Sequence, residues 1–285
     1  GGYPIKFISK KSSGNKHCVV YALTYGGGLV SQDMFHVEID VKAECALSYL
    51  TQSSTKVFKK RVVKPSAGLS PPPEKAGLPN ISSAADIGQS MHVNIAPGSL
   101  FTLIPQPITC FEQASYEQYQ NFHVQPLGSC VVLDWITSGR MSRNEVWKME
   151  RFASRNILQV GNEVLLRDGL LLEQSAGSEI ADRMAEYHCF ATLICYGPRA
   201  ATLTSAILEA FDAISIGGMM EEPRQPAFGG SFPTDGLVWS ASPVEGKSKS
   251  LEGCILRASS RETRVMKQFL SRILEQHGFL RNSGW

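Results

Sequence analysis

The stretch VVLDWITSGRMSRNEVW (residues 131–147) reads as a strand that is apolar on both sides and then turns charged. Side chains of a strand alternate, so Val131, Leu133 and Trp135 share one face and Val132, Asp134 and Ile136 share the other. Two apolar faces mark a strand covered on both sides. Asp134 therefore stands between two aliphatic neighbours, with Arg140 and Glu145 following. An ionised carboxylate taken out of water without a partner costs several kcal/mol, roughly, or becomes protonated. Asp134 must meet a cation, a set of donors, water or a metal. From the residues alone, the simplest partner is Arg140, bracing a turn.

Working outward, the chain is β-rich. HCVVYALTY (17–25) and FHVEIDVKAECALSYL (35–50) carry β-branched and aromatic residues. In the second run Phe35, Val37, Ile39 and Val41 alternate with His36, Glu38, Asp40 and Lys42. YGGGLVSQD between them is a glycine turn. Further strand-like runs are RNILQVG, EVLLRDGLLLE, HCFATLICYG and GLVWSASP. Two segments switch to a helical period. Leu203, Ile207, Phe211 and Ile214 form one stripe, stopped by Gly217-Gly218. Val265, Phe269 and Ile273 form the other, flanked by Met266, Leu270 and Leu274, with Ser259 and Glu262 spaced as a capping box. Residues 64–90 are rich in Pro, Gly and Ser and read as a flexible insertion within a single domain spanning 1–285. The sum is a mainly β protein with two α-helices, the second near the C-terminus.

Composition excludes several classes. A net charge of +2 sets up no field that would argue for nucleic acid or an anionic membrane. No apolar run approaches the length needed to span a bilayer. Seven cysteines without an export signal fit reduced thiols and predict a cytoplasmic setting. The chain opens on Gly rather than Met, so its first residue is not read as a native start. No phosphate-binding lysine loop, nucleophile elbow or dinucleotide fingerprint occurs. His17-Cys18 and His188-Cys189 would point to opposite faces of a strand and make poor ligand pairs. What remains is acids on or beside apolar runs: Asp33, Asp134, Glu145, Glu163 and Asp168.

Eight motifs in order carry a resemblance: YPIKFI (3–8), GGLVSQD (27–33), STKVF (54–58), PQPITCFEQASYEQ (105–118), LDWITSGR (133–140), NEVW (144–147), LLRDGLLLE (165–173) and GLVWSASP (236–243). Together they resemble the urease accessory protein UreD (UreH) family. The resemblance implies a helix-like stack of β-strands with two α-helices and a non-catalytic metallochaperone. It further implies a UreF-type helical partner, a UreG-type GTPase reached through that complex, and apo-urease as the acceptor. No cofactor is held tightly on this reading; Ni(II) passes transiently along a wet route lined by acids. Asp134 and Arg140 carry over from the LDWITSGR motif, with Asp33, Asp168 and Glu145 as further candidates. A conduit needs weak successive sites, and carboxylates in wet surroundings supply them. Gln32 stands where the family's turn has glycine, which leaves the direction of Asp33 open. Two other readings stay open at this level: a hydrolase or lyase using Asp134 with a second acid, and an interaction module whose acids are structural.

Overall fold

The strand read from 131–137 is the axis of the molecule. In the computed structural model, which describes residues 2–11, 16–60, 78, 80–217, 236–246, 251–280 and 285, it becomes β10 (Ser129–Thr137). The chain before it winds between two sheets. β2 (His17–Thr24), β4 (Ala46–Thr51), β7 (Leu100–Ile104) and β10 stack in parallel on one side. β3 (Met34–Val41), β6 (Ile87–Ile95), β9 (Ser115–Val124) and β11 (Arg151–Val160) stack in parallel on the other. Each circuit places one strand in each sheet, which is the helix-like stack the resemblance implied.

The remaining strands finish the two sheets. β1 (Ile5–Lys11) edges the first, and the short β5 (Thr55–Val57) and β8 (Ile108–Cys110) extend it beside β10. After β11 the direction reverses. β12 (Glu163–Glu173) pairs antiparallel with β11, and β13 (Cys189–Tyr196) pairs antiparallel with β10. β14 (Leu237–Glu245) and β15 (Leu251–Ser260) complete a ten-stranded sheet facing one of five strands.

Alternation sorts the core into three apolar clusters. Val131, Leu133 and Trp135 face α2 (Ala201–Gly217) and α3 (Thr263–Gln276). The α3 stripe expected from the sequence, Val265, Met266, Phe269, Leu270, Ile273 and Leu274, is wholly buried there. On the other side of β10, Val132 joins one cluster between the sheets and Ile136 joins another. Asp134 lies between those two clusters, so the charge sits at a seam rather than inside a continuous core.

Three expectations need correction. A third, five-residue helix, α1 (Ile180–Met184), precedes the two foreseen; it is too short for a hydrophobic period to reveal. The capping box does not form: Ser259 is still in β15, and the N-cap Glu262 makes no side-chain cap bond. Ser260 Oγ instead accepts from the Glu262 amide at 3.2 Å. Of the segment 64–90, residues 64–77 and 79 lie outside the described residues, whereas 80–90 belongs to the fold, with β6 starting at Ile87.

Gly139, in the loop after β10, has φ +124°. A Cβ there would lie 2.3 Å from the Glu145 carbonyl oxygen, a backbone atom that cannot rotate away. Gly139→Ala is therefore expected to destabilise the fold by more than about 2 kcal/mol, measured by chemical denaturation. A variant as stable as the parent would show that this loop can relax.

Candidate functional site

The register of the sheets places polar residues in facing rows. On the ten-stranded sheet, Asp134 pairs with Thr192, and Thr192 pairs with Arg257. On the facing sheet, Gln89 pairs with Gln118 and Gln118 with Ser154; beside them Met91 pairs with Gln120, Gln120 with Asn156 and Asn156 with Asp168. Apart from Met91, which belongs to the apolar cluster beside them, these side chains form a polar belt between the two inter-sheet clusters.

Asp134 is the hub. Its Oδ1 accepts from Gln118 Nε2 at 2.8 Å, and its Oδ2 accepts from Ser154 Oγ at 2.5 Å and Asn156 Nδ2 at 3.0 Å. Gln118 Nε2 also reaches Ser154 Oγ at 2.9 Å. Tyr116 donates its hydroxyl to Gln89 Oε1 and Gln118 Oε1, each at 3.3 Å. All of the donors to Asp134 are neutral. Removal from bulk water raises its carboxyl above the usual range; the bonds from Ser154, Asn156 and Gln118 oppose this, and the nearby Asp168 adds to the rise.

A cavity of about 260 Å³ opens against the inner face of Asp134. Gln89, Tyr116, Gln118 and Gln120 line its depth, and the exposed Gln52 and Ser53 mark its outer end. Asp134 remains partly accessible because it faces this space. On its far side a void of about 10 Å³, bounded by Phe152, Thr192 and Asp168, lies at the lower limit for one water. Two acceptors along the belt, Gln120 Oε1 and Asn156 Oδ1, are buried without a hydrogen-bond partner. Arg257, 43% exposed in its side chain, binds Asp168 Oδ1 at 2.6 Å at the other end.

The expected brace between Asp134 and Arg140 is absent. Arg140 Nε donates to Glu145 Oε2 at 2.8 Å, a second bond joins the same two side chains, and the guanidinium lies 3.9 Å over the Phe111 ring. The bond from Arg140 is the main reason the Glu145 carboxyl is held below its usual range. The reason for the difference is directional: Asp134 points between the sheets, and Arg140 follows only after the strand has ended and the chain has turned. Asp33 also lies off the belt. Its Oδ2 accepts from the Val30 amide at 2.8 Å, closing the glycine turn, and Gln32 takes the left-handed φ of 71° that a glycine would adopt freely. Of the acids singled out by sequence, the fold brings Asp134 and Asp168 together and leaves Asp33 and Glu145 in local structural roles.

The sequence reading missed Gln118, Gln120, Ser154, Asn156 and Arg257. A signal existed for the glutamines. In SYEQYQNF, Gln118 and Gln120 fall on the same face as Tyr116 and Phe122, so two amides interrupt an aromatic, inward face. Glu117 on the reverse face was missed as well. It is 1% exposed and is held by Arg151 Nη1 at 2.8 Å and Arg155 Nη2 at 2.5 Å.

Among the described residues, no group of three His, Cys, Asp or Glu side chains is arranged to hold a metal ion. The belt therefore offers single acids and neutral acceptors in series rather than a cage.

The family model for the UreD urease accessory protein matches residues 2–283. The chain belongs to the UreD family. Urease accessory protein 4 of Cryptococcus neoformans var. grubii is 30% identical over 296 residues, covering 97% of this chain and 84% of the relative. Urease accessory protein D of Oryza sativa subsp. indica is 38% identical over 200 residues, covering 69% of this chain. The match spans 58% of that rice protein's length. UreD of Sorangium cellulosum is 28% identical over 267 residues, covering 94% of this chain and 70% of the relative. The UreD relatives are named accessory proteins, and no helix among the described residues is long and apolar enough to cross a membrane.

Proposed function

We propose that this UreD-family chain is a non-catalytic scaffold in urease maturation, and that it helps deliver nickel to the dinuclear site of apo-urease. On this reading it works in the cytoplasm within an assembly containing a UreF-type helical protein and, through it, a UreG-type GTPase. Nickel is cargo, held only in transit.

The observation that carries the reading is the polar belt that ends in the cavity. A cation travelling through a protein needs oxygen ligands that replace part of its hydration shell without trapping it. Ni(II) accepts carboxylate, amide oxygen and water, and a tight cage would hold it too long. Asp134 supplies one negative charge, tempered by three neutral donors. Gln120 Oε1 and Asn156 Oδ1 supply acceptors whose lone pairs have no protein donor. A buried acceptor left in that state favours water or a cation beside it. Asp168, neutralised by Arg257, marks the end of the row away from the cavity.

The reading is tested by deleting the chain from cells that make urease and measuring the nickel content and activity of the purified enzyme. Loss of both, with restoration on re-expression, is the expected result. Urease that acquires its full nickel without this chain would refute the proposal. Co-purification with the UreF-type protein is the parallel test of the assembly.

A further inference from the structure

The two sheets end unevenly where the chain begins. β3 follows β2 and precedes β4 in the coil, so it lies across from those two strands, and it closes the five-stranded sheet at this end. β1 lies one strand further out on the ten-stranded sheet, by about 4.8 Å, and faces no strand among the described residues. Burial records the overhang. Ile5, inward on β1, is buried, but the next inward residue, Phe7, is 36% exposed although its ring meets Tyr49 of the inter-sheet core. Phe35 and Ile39, on the inner face of β3, are only half-buried. Beyond the ladder with β6, no backbone hydrogen bond among the described residues reaches residues 35–40. The outer N–H and C=O groups of β3 are therefore free to pair.

From this arrangement we infer that the β3 edge takes one extended segment of a partner protein as an added strand beneath β1. Backbone pairing with β3 supplies the affinity, and alternation sets the sequence that the slot accepts. Every second side chain of the guest points inward, onto Phe7, Phe35 and Ile39, and is apolar. The others point outward beside Glu38 and Asp40, which are both exposed, and are basic, because opposite charges on neighbouring strands attract. Lys42 lies 4.0 Å from Asp40 and is itself exposed, a loose contact that a basic guest replaces. The guest is thus a strand in which apolar residues alternate with Lys or Arg. A second copy of this chain does not fit by its own β3. Paired edge to edge about a twofold axis, it would bring its own overhanging β1 into the space that this β1 fills. The inference is independent of the nickel reading, since no residue of the belt takes part.

The test adds the peptide acetyl-VKVKVKVK-amide, eight residues like β3 itself, to the full chain. Amide hydrogen exchange is read residue by residue by NMR, and affinity by the fluorescence anisotropy of labelled peptide. With the peptide at about ten times its Kd, alternate amides within residues 35–40 should exchange about tenfold more slowly, while those already bonded to β6 stay as they were. The block isomer acetyl-VVVVKKKK-amide has the same composition without the alternation and should bind about tenfold more weakly or worse. The double variant E38K/D40K should lose affinity for the lysine peptide by a similar factor and gain it for acetyl-VEVEVEVE-amide. Both substituted residues are exposed, so circular dichroism of the variant should match the parent. Protection confined to other strands, equal binding of the block isomer, or unchanged affinity in E38K/D40K would each overturn the inference. So would protection of the same amides on concentrating the chain alone, which would assign the edge to a second copy.

Discussion

Asp134→Asn is expected to reduce nickel-dependent urease activation on the order of tenfold, the scale typical when a group that tunes a metal contact is altered, while the protein stays folded and its assembly with partners stays intact. The substitution keeps the shape and retains an acceptor for Gln118, Ser154 or Asn156, but it removes the charge of the belt's central acid. Its stability has a pH signature. The folded carboxyl of Asp134 titrates above its unfolded value of 3.8, so the folded state binds more protons between the two values. Its contribution is therefore most favourable below the unfolded value and diminishes as pH rises through the folded one. At neutral pH the Asn variant should be within about 1 kcal/mol of the parent or more stable, and in acid that relative advantage should shrink. Urea denaturation at both pH values checks this. Asp134→Ala is different, because it leaves three donors without their acceptor, and a loss of about 2–3 kcal/mol is expected. Full urease activation by a folded Asn variant would remove Asp134 from the route.

Arg151→Ala should give the largest loss of stability among single charge removals. Glu117 is 1% exposed, and Arg151, 13% exposed in its side chain, is its better-buried partner. Breaking a buried pair by taking away one member leaves an uncompensated charge, at a cost of about 3 kcal/mol or more. For a chain of this size that corresponds to a Tm lower by roughly 5–10 °C. Arg155 still reaches Glu117, but its side chain is 47% exposed and it compensates only in part. Adding Glu117→Gln to Arg151→Ala should recover much of the loss, because the stranded charge is gone. A Tm unchanged by Arg151→Ala would mean that Arg155 alone satisfies Glu117. The same experiment separates this brace from the belt: Arg151 and Glu117 face away from the cavity, so nickel delivery by the folded protein should follow stability alone.

Arg140 shows how a local reading can select the wrong partner. It follows Asp134 by six positions, and in sequence no other cation lies so near on the apolar run. The strand continues to Thr137, however, and the chain then turns before Arg140 can point anywhere. Its guanidinium meets Glu145 and Phe111 beyond the strand end. The acid that seemed to need a cation is satisfied by three neutral groups on two strands of the opposite sheet. No spacing rule would bring residues 118, 154 and 156 to residue 134.

What the sequence determined by itself was the local periodicity and the family. Period-two alternation in FHVEIDV and VVLDWIT placed strands and their faces, and the stripe from Val265 to Leu274 placed the last helix, because burial of one face is written in consecutive residues. Eight ordered motifs carried the UreD resemblance. Only the tertiary structure decided which acids meet. Packing of the two sheets face to face sets in contact residues 16 and 89 positions apart, Gln118 with Asp134 and Asp168 with Arg257. The register between strands comes from packing of the whole coil. That is why Asp134 and Asp168 share a polar belt, while Asp33 and Glu145, equally conspicuous in the sequence, hold turns.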